Sequence, residues 1–240
     1  MNEPSSIGTF DEERAAGYDD RIRRVAPGYE ALQAALPSVM GRPAPDARVL
    51  VVGTGTGAEI LAMARARPDW HFTAVDPSTD MLDRCRERVQ AAGLEDRVTY
   101  VAERIEDWDP PSRFDGATAI FVSHFLQGRA AKRRFFTAIG RALAAGAPFA
   151  FADLFAGGAG TDPERLRAAW RRWCRETGRS GEEVRRAFAK MERELSFASA
   201  ETLDALLPEA GFAAPTRFYQ FFLWGAWRTR RVDEAAGHEA

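Results

Sequence analysis

The sequence has few cysteines and histidines, and its charges nearly balance. Its 240 residues include 2 cysteines, Cys85 and Cys174, in no C-x-x-C motif, and 3 histidines. This pattern argues against a disulfide framework and a zinc site. A formal net charge of −2 lacks the basic excess typical of nucleic-acid-binding domains. We therefore expect no metal site and no direct nucleic-acid partner.

Long apolar runs are also missing. No run approaches the roughly 20 residues that cross a bilayer, and the first residues, M-N-E-P-S-S-I-G, do not resemble a signal peptide. With 45% apolar residues, the chain has ample material for one domain with an elaboration. We therefore expect a cytoplasmic protein with no membrane partner.

The most informative stretch covers residues 48–59, R-V-L-V-V-G-T-G-T-G-A-E. It predicts a buried strand, a tight glycine turn and the start of a helix. Asp76 ends the next apolar run, 23 residues after Gly53. In a parallel sheet this carboxylate lies at the tip of the neighbouring strand, where it can hold both hydroxyls of a ribose. The stretch therefore predicts a nucleoside-containing ligand, either a dinucleotide or S-adenosylmethionine (SAM).

Strand and helix patterns alternate along the chain, which predicts a parallel sheet with helices on both faces. The expected strands are Val49–Gly53, His71–Asp76, Val98–Val101, Phe114–Val122 and Pro148–Leu154. The expected helices are Ala58–Ala66, Ser78–Ala92, Ala131–Leu143, Pro163–Thr177, Glu182–Glu194 and Ala200–Ala210. An earlier helical pattern, Phe10–Leu36, is interrupted at Pro27-Gly28, and the C-terminal end alternates like an antiparallel hairpin turning near Leu223–Gly225.

These features, in this order, resemble the class I SAM-dependent methyltransferases from about Arg48 to Arg230. The nearest likeness is to the carboxy-S-adenosylmethionine synthase group. It rests on V-A-P-G-Y-E at 25–30, A-V-D-P-S-T-D-M-L-D-R-C-R at 74–86, S-H-F-L at 123–126, S-A-E-T-L with A-G-F at 199–212, and the F-Y-Q-F-F-L-W-G ending. The resemblance implies an α/β, Rossmann-like methyltransferase sandwich. Its seven-stranded sheet is mostly parallel, with a C-terminal antiparallel hairpin, a helical lid and a helical insertion.

The resemblance also implies three regions. Residues 1–46 form an N-terminal helical lid and connector, residues 47–232 form the SAM-binding domain with an insertion at about 160–197, and residues 233–240 form a loose tail. The cofactor is SAM, and S-adenosylhomocysteine is the product.

The cofactor-binding roles follow position by position from the same resemblance. Tyr29 lies against the cofactor from a lid, Asp76 and Pro77 hold the ribose, and Arg104 and Ile105 edge the adenine, with Arg104 replacing an acid. The full expected set is Tyr29, Gly53, Thr54, Gly55, Gly57, Asp76, Pro77, Met81, Arg104, Ile105, Ile120 and Phe121.

Three further positions depart from the family pattern. Most class I enzymes carry an acid where Val51 stands, two residues before the first glycine, and Ile120 replaces an asparagine. Phe188 stands where the synthase group has an arginine that pairs with the extra carboxylate of its modified cofactor. A buried carboxylate without a partner costs several kcal/mol. Phe188 therefore argues against the synthase activity, unless Arg185 or Arg186 reaches the site.

Methyl transfer from a sulfonium depends mainly on alignment and exclusion of water, so a general base is optional. His124, just past the fourth strand, is the expected catalytic residue, and the alternative is a helix-start histidine satisfied by backbone groups. The expected substrate-binding residues are Tyr18, Phe155, Phe188 and Arg185. The arginines of the insertion either attract an anionic substrate or form a solvated helix face.

We expect a homodimeric SAM-dependent methyltransferase that acts on a small molecule. One alternative is carboxy-S-adenosylmethionine synthase, which uses SAM and prephenate in tRNA wobble-uridine modification. A second is a non-catalytic SAM-binding partner protein. A nicotinamide dehydrogenase is disfavoured, because none of the four tyrosines has a lysine four residues later.

Overall fold

The computed structural model describes residues 17–158 and 160–232. Phe10, at the expected start of the first helix, and the expected loose tail at 233–240 lie outside this part of the chain. No helix within the described ranges is long and apolar enough to cross a membrane.

Seven strands form one sheet in the order β3-β2-β1-β4-β5-β7-β6. They are β1 (Arg48–Val52), β2 (His71–Val75), β3 (Val98–Val101), β4 (Gly116–Ile120), β5 (Pro148–Leu154), β6 (Thr216–Phe221) and β7 (Trp224–Arg230). The first five are parallel, and β7 runs antiparallel to both β5 and β6. The expected fold class is confirmed. The strand order reverses between β1 and β4, which is where open parallel sheets bind their ligands.

Eight α-helices of the described chain surround this sheet. They are α1 (Tyr18–Val25), α2 (Tyr29–Met40), α3 (Ala58–Ala66), α4 (Thr79–Ala91), α5 (Gly128–Ala142), α6 (Pro163–Glu176), α7 (Gly181–Glu194) and α8 (Ala200–Glu209). Ser78 caps α4 by accepting a hydrogen bond from the Met81 backbone N–H at 3.2 Å. The expected break before Tyr29 is present, with Gly28 at φ 72°.

The fourth strand is shorter than its apolar run predicts. Phe114 forms an isolated bridge to Leu143, outside the strand. After Ile120, Phe121 has a φ of 63°. A residue in the left-handed region cannot continue an extended strand, so β4 ends there and the chain turns across the tip of the sheet.

Two apolar layers cover the two faces of the sheet. One contains α5 and α8, with Phe136, Phe149 and Leu206 among its buried side chains. The other contains α1 to α4 and the inner sides of α6 and α7. The two insertion helices dock through Trp170, whose indole N–H donates to the Val25 carbonyl at 2.8 Å. The insertion therefore packs directly on α1 above the sheet.

Candidate active site

The glycine turn between β1 and α3 is tight and leaves space on one side. Gly53, Gly55 and Gly57 all have positive φ values. A Cβ on Gly53 would lie 2.5 Å from a methyl carbon of Val122, and one on Gly57 would lie 2.6 Å from the Cys85 Sγ. A Cβ on Gly55 would meet nothing within 4 Å. The turn is therefore closely packed at Gly53 and Gly57, whereas at Gly55 its backbone borders open space.

Asp76 directly follows β2 and is 7% exposed. Its two carboxylate oxygens accept hydrogen bonds from the Gly55 and Ser78 backbone N–H groups, each at 2.9 Å. Burial raises the pKa of this carboxyl, and the two N–H groups act in the opposite direction. The carboxylate is thus fixed at the tips of β1 and β2, beside the glycine turn.

A cavity of about 720 Å³, here called the turn cavity, opens at the carboxyl ends of β1, β2 and β4. Nine of the twelve expected cofactor-binding residues line it: Gly53, Gly55, Asp76, Pro77, Met81, Arg104, Ile105, Ile120 and Phe121. The other three, Tyr29, Thr54 and Gly57, lie outside its lining. Tyr29 is buried behind the wall, with its ring 5.9 Å from that of Phe121.

Two carboxylates line the turn cavity close to Arg104 in the chain. Arg104 replaces the family's acid, yet Glu103 and Glu106 also line the cavity. Arg104 pairs with Glu106 at 3.6 Å and is 53% exposed. Sequence reasoning weighed a single position here and missed the acids on either side of it.

A second cavity of about 750 Å³, here called the insertion cavity, lies between α1, α6, α7 and the C-terminal hairpin. Its apolar wall includes Phe121, Phe125, Trp170, Phe188 and Trp224. Tyr18, Phe121 and Phe125 line both cavities. The two cavities therefore adjoin across the end of β4.

The structure brings two of the four expected substrate-binding residues, Tyr18 and Phe188, into the insertion cavity. Phe155 is fully buried on the other side of the sheet, with its ring 5.5 Å from that of Trp227. Arg185 is 74% exposed and pairs with Glu182 on the outer side of α7. The buried side of this helix carries Val184 and Phe188. Arg185, which directly follows Val184, therefore points away from the cavity.

Four basic side chains do line the insertion cavity: Arg21, Arg179, Arg186 and Lys190. Two acids, Glu183 and Glu194, line it as well. Arg167 and Arg171, by contrast, lie outside its lining and pair with Glu192. Some arginines of the insertion therefore line the cavity, whereas others form ion pairs on the surface of the helices.

His124 lies in the insertion cavity and is held by a carboxylate rather than by backbone groups. Its Nδ1 hydrogen-bonds with Asp153 Oδ1, and the Ser123 hydroxyl donates to Asp153 Oδ2. All three side chains are buried. Burial acts to raise the pKa of the Asp153 carboxyl, but the His124 ring, the Lys132 ammonium and the Ser123 hydroxyl outweigh it and hold this pKa below its usual range. This arrangement fixes the ring and leaves Nε2 as its remaining polar atom.

Phe121 carries backbone strain where the two cavities meet. Its left-handed backbone costs roughly 1 kcal/mol or more for a residue with a bulky side chain. The backbone N–H donates to the Ala152 carbonyl at 2.7 Å, and the ring lies 4.4 Å from that of Trp224. Strained residues that the surrounding packing fixes in this way are concentrated at binding and catalytic sites.

A partly buried hydrogen-bond network connects α1 to the glycine turn. The Thr56 hydroxyl donates to Asp19 Oδ1 at 2.7 Å, and Arg88 Nη1 donates to Asp19 Oδ2 at 2.7 Å. Arg88 also donates to the Thr56 carbonyl at 3.0 Å. The network therefore joins α1, which begins at Tyr18, to the turn and to α4. Its members are far apart in the chain, so no local pattern could have identified them.

Within the described ranges, no group of three or more histidine, cysteine or acidic side chains could hold a metal ion.

The sequence resembles known proteins in two ways. Residues 49–146 match the model of a methyltransferase domain. A carboxy-S-adenosyl-L-methionine synthase from Sodalis glossinidius is 29% identical over 235 residues, which cover 92% of this chain and 91% of that protein.

The fold resembles that of solved methyltransferases. The O-methyltransferase NcsB1 from neocarzinostatin biosynthesis, solved with SAM and 2-hydroxy-5-methyl naphthoic acid, is 17% identical with a TM-score of 0.64, over 92% of this chain and 59% of that one. A SAM-dependent methyltransferase from Aquifex aeolicus is 17% identical with a TM-score of 0.61, over 93% of this chain and 100% of that one. This chain spans about three fifths of the length of the first solved structures that it matches.

Proposed function

Because residues 49–146 match a methyltransferase domain model and the fold resembles that of solved methyltransferases, we propose that this chain transfers the methyl group of SAM to a hydroxyl group of a small aromatic acceptor. The observation that carries the proposal is the junction of the two cavities. Tyr18, Phe121 and Phe125 line both, so a cofactor in the turn cavity faces an acceptor in the insertion cavity.

The residues of the turn cavity suit SAM. Gly55 presents backbone with open space where a side chain would stand, which allows close approach of the methionine part. The Asp76 carboxylate is fixed at the strand tip, where it can accept hydrogen bonds from the ribose hydroxyls. Met81 and Ile105 provide an apolar surface for the adenine. When bound, SAM supplies an activated methyl group on a sulfonium and leaves as S-adenosylhomocysteine.

His124 is the general base of this proposal. Its Nδ1 hydrogen-bonds with Asp153, so Nε2 takes the proton of the acceptor hydroxyl as that oxygen attacks the methyl carbon. Asp153 then stabilises the imidazolium, as carboxylates do in other histidine-dependent enzymes. The proton passes to solvent after the methylated product leaves. The aromatic wall aligns the acceptor and excludes water.

The test is methyl transfer from SAM to a panel of hydroxylated aromatic acids, followed by mass spectrometry of both products. We expect one acceptor class to gain a methyl group while SAM becomes S-adenosylhomocysteine. The variant His124→Gln should bind SAM like the wild type and lose transfer. Full activity in this variant would remove His124 from the mechanism, and no SAM binding by the wild type would refute the function.

A second candidate is carboxy-S-adenosylmethionine synthase, because the curated relative of that name aligns along 92% of this chain. Arg186 and Arg179 line the insertion cavity beside Phe188 and offer positive charge near the position of the missing arginine. Mass spectrometry of the cofactor after incubation with SAM and prephenate separates the two candidates. An added carboxylate on the cofactor favours the synthase, and its absence favours methyl transfer. A third candidate, non-catalytic SAM binding, gives no reason for the His124–Asp153 pair.

We also propose a cytoplasmic homodimer with a small-molecule partner, without direct nucleic-acid binding. An exposed aromatic side chain supports the dimer, because a partner subunit could cover it: Phe221 on β6 is 39% exposed, and its ring lies 5.0 Å from that of Phe222. The proposed regions keep the boundaries 1–46, 47–232 and 233–240, with the insertion at about 160–197. Light scattering on the purified protein tests the dimer, and a monomer mass at micromolar concentration would contradict it.

A further inference from the structure

A carboxylate from another element lies close to Val51, the position at which the family resemblance leads us to expect an acid. Val51 on β1 pairs in register with Thr118 on β4. Paired residues of neighbouring strands project from the same face of a sheet. The Thr118 hydroxyl donates to Glu59 Oε2. The Glu59 carboxylate, in the first turn of α3, therefore lies beside the place where an acid at position 51 would stand.

A second contact places this carboxylate at the turn cavity. The Ile120 backbone N–H also hydrogen-bonds with it, and the Ile120 residue lines the cavity. Glu59 itself is 4% exposed and is not part of the lining. The carboxyl group therefore lies directly behind the cavity wall, at the end of β4.

This carboxyl is able to change its charge near neutral pH. Burial raises its pKa from 4.5 to about 8, although the hydrogen bonds from Thr118 and Ile120 act to lower it. In the ligand-free protein at pH 7 the proton is therefore mostly bound. A positive charge placed on the other side of the wall favours its release.

We propose that Glu59 is the acid of the cofactor pocket, which loses its proton to solvent when SAM binds and regains one when the sulfonium has become a thioether. SAM carries one more positive charge than S-adenosylhomocysteine, so an ionised Glu59 favours the substrate form of the cofactor. Its reprotonation then favours release of the product form. Glu59 is a positioning residue, since it acts through the wall. The inference rests on the proposed binding of SAM.

Other titratable and charged groups lie near this carboxylate. Tyr18 on α1 and Tyr29 on α2 both lie within electrostatic range of Glu59. The charged groups that also act on these two tyrosines are Asp19 and Arg21 on α1, Asp76 after β2 and Arg88 on α4. Burial raises the pKa values of both tyrosines well above their usual range, so they stay neutral between pH 6 and pH 9. Asp19 and Arg88 pair with each other at 2.7 Å. In the proposed complex Asp76 faces the ribose, which SAM and S-adenosylhomocysteine share, so its hydrogen bonds to the cofactor are the same with both.

Calorimetric titration of the wild type with each cofactor form, in two buffers of different ionisation enthalpy, counts the protons released. At pH 7 we expect close to one more proton released with SAM than with S-adenosylhomocysteine. The affinity for SAM should rise with pH and level off above about pH 8, because below its pKa Glu59 must first give up a proton. The affinity for S-adenosylhomocysteine should change much less.

The variant Glu59→Gln should bind SAM about tenfold more weakly, bind S-adenosylhomocysteine within about twofold of the wild type, and lose the extra proton. Glu87→Gln, on the exposed side of α4, is the matched control and should behave as the wild type. Equal proton release with both cofactor forms, or an unchanged affinity ratio in Glu59→Gln, would overturn the inference. The wild-type proton count decides the matter even when Glu59→Gln fails to fold. Wild-type protein that binds neither form would refute the proposed function itself.

Discussion

The raised pKa of the buried Glu59 carboxyl leads to a prediction about how the free energy of unfolding depends on pH. This prediction can be tested without any ligand. In the unfolded chain its pKa returns to the ordinary value of 4.5, whereas burial raises it to about 8 in the folded protein. Between these values the folded state keeps the proton and the unfolded state has lost it. Raising the pH therefore favours unfolding, by about 1.4 kcal/mol per pH unit from this one group.

The variant Glu59→Gln removes this dependence, because glutamine does not titrate. Relative to the wild type, its free energy of unfolding should increase from pH 5 to about pH 8 and then stay constant, with a total gain of about 4 kcal/mol. Most of this gain reflects the removal of a buried charge that is only partly compensated by Thr118 and Ile120. The size of this gain measures how much an ionised Glu59 destabilises the folded wild type at high pH.

Urea denaturation followed by tryptophan fluorescence at pH 5.5, 7 and 8.5 is the assay. Trp70 and Trp170 are both 1% exposed and report on the loss of packing. Glu87→Gln controls for the removal of an exposed acid and should keep a constant difference from the wild type. The reasoning is refuted if the difference between Glu59→Gln and the wild type is the same at all three pH values.

Three further substitutions test the proposed site. His124→Gln should lower the rate of methyl transfer, followed by mass spectrometry of the product, by roughly 10²- to 10⁴-fold; an unchanged rate would contradict its role as the general base. Asp76→Ala should cost about 1.5–3 kcal/mol of SAM affinity, measured by calorimetry, and unchanged affinity would mean that the ribose is held elsewhere. Asp19→Asn breaks the pair with Arg88 and should weaken SAM binding severalfold and speed proteolysis within α1, whereas Glu30→Gln, which breaks an exposed pair with Arg23, should do neither. Equal effects of the last two variants would contradict a role for the network in holding α1.

Local signals were sufficient for much of the fold. The helix at Ala58–Ala66 and the strands at Val98–Val101 and Pro148–Leu154 have the bounds that the sequence predicts. The glycine turn follows β1 and Asp76 follows β2. The two meet because these consecutive strands are parallel neighbours in the sheet. Hydrophobic period and turn residues determine these features within a few residues, so they can be read from one sequence.

The rest of the site depends on contacts between distant residues. Glu59 meets Thr118 across 59 positions, and Asp19 meets Arg88 across 69. No spacing rule relates such pairs before the sheet order is known. The choice between Arg185 and Arg186 depends on the rotation of α7 about its axis, which is set by the packing of Phe188 against Trp170 at 4.7 Å. One residue along a helix changes the direction of a side chain by about 100°.

The most direct test of the account is mass spectrometry of the complete reaction of the wild type with SAM and the hydroxylated aromatic acids. The account predicts an acceptor that is one methyl group heavier, together with an equal amount of S-adenosylhomocysteine. SAM that remains unchanged with every acceptor, or a cofactor that gains a carboxylate, would contradict it.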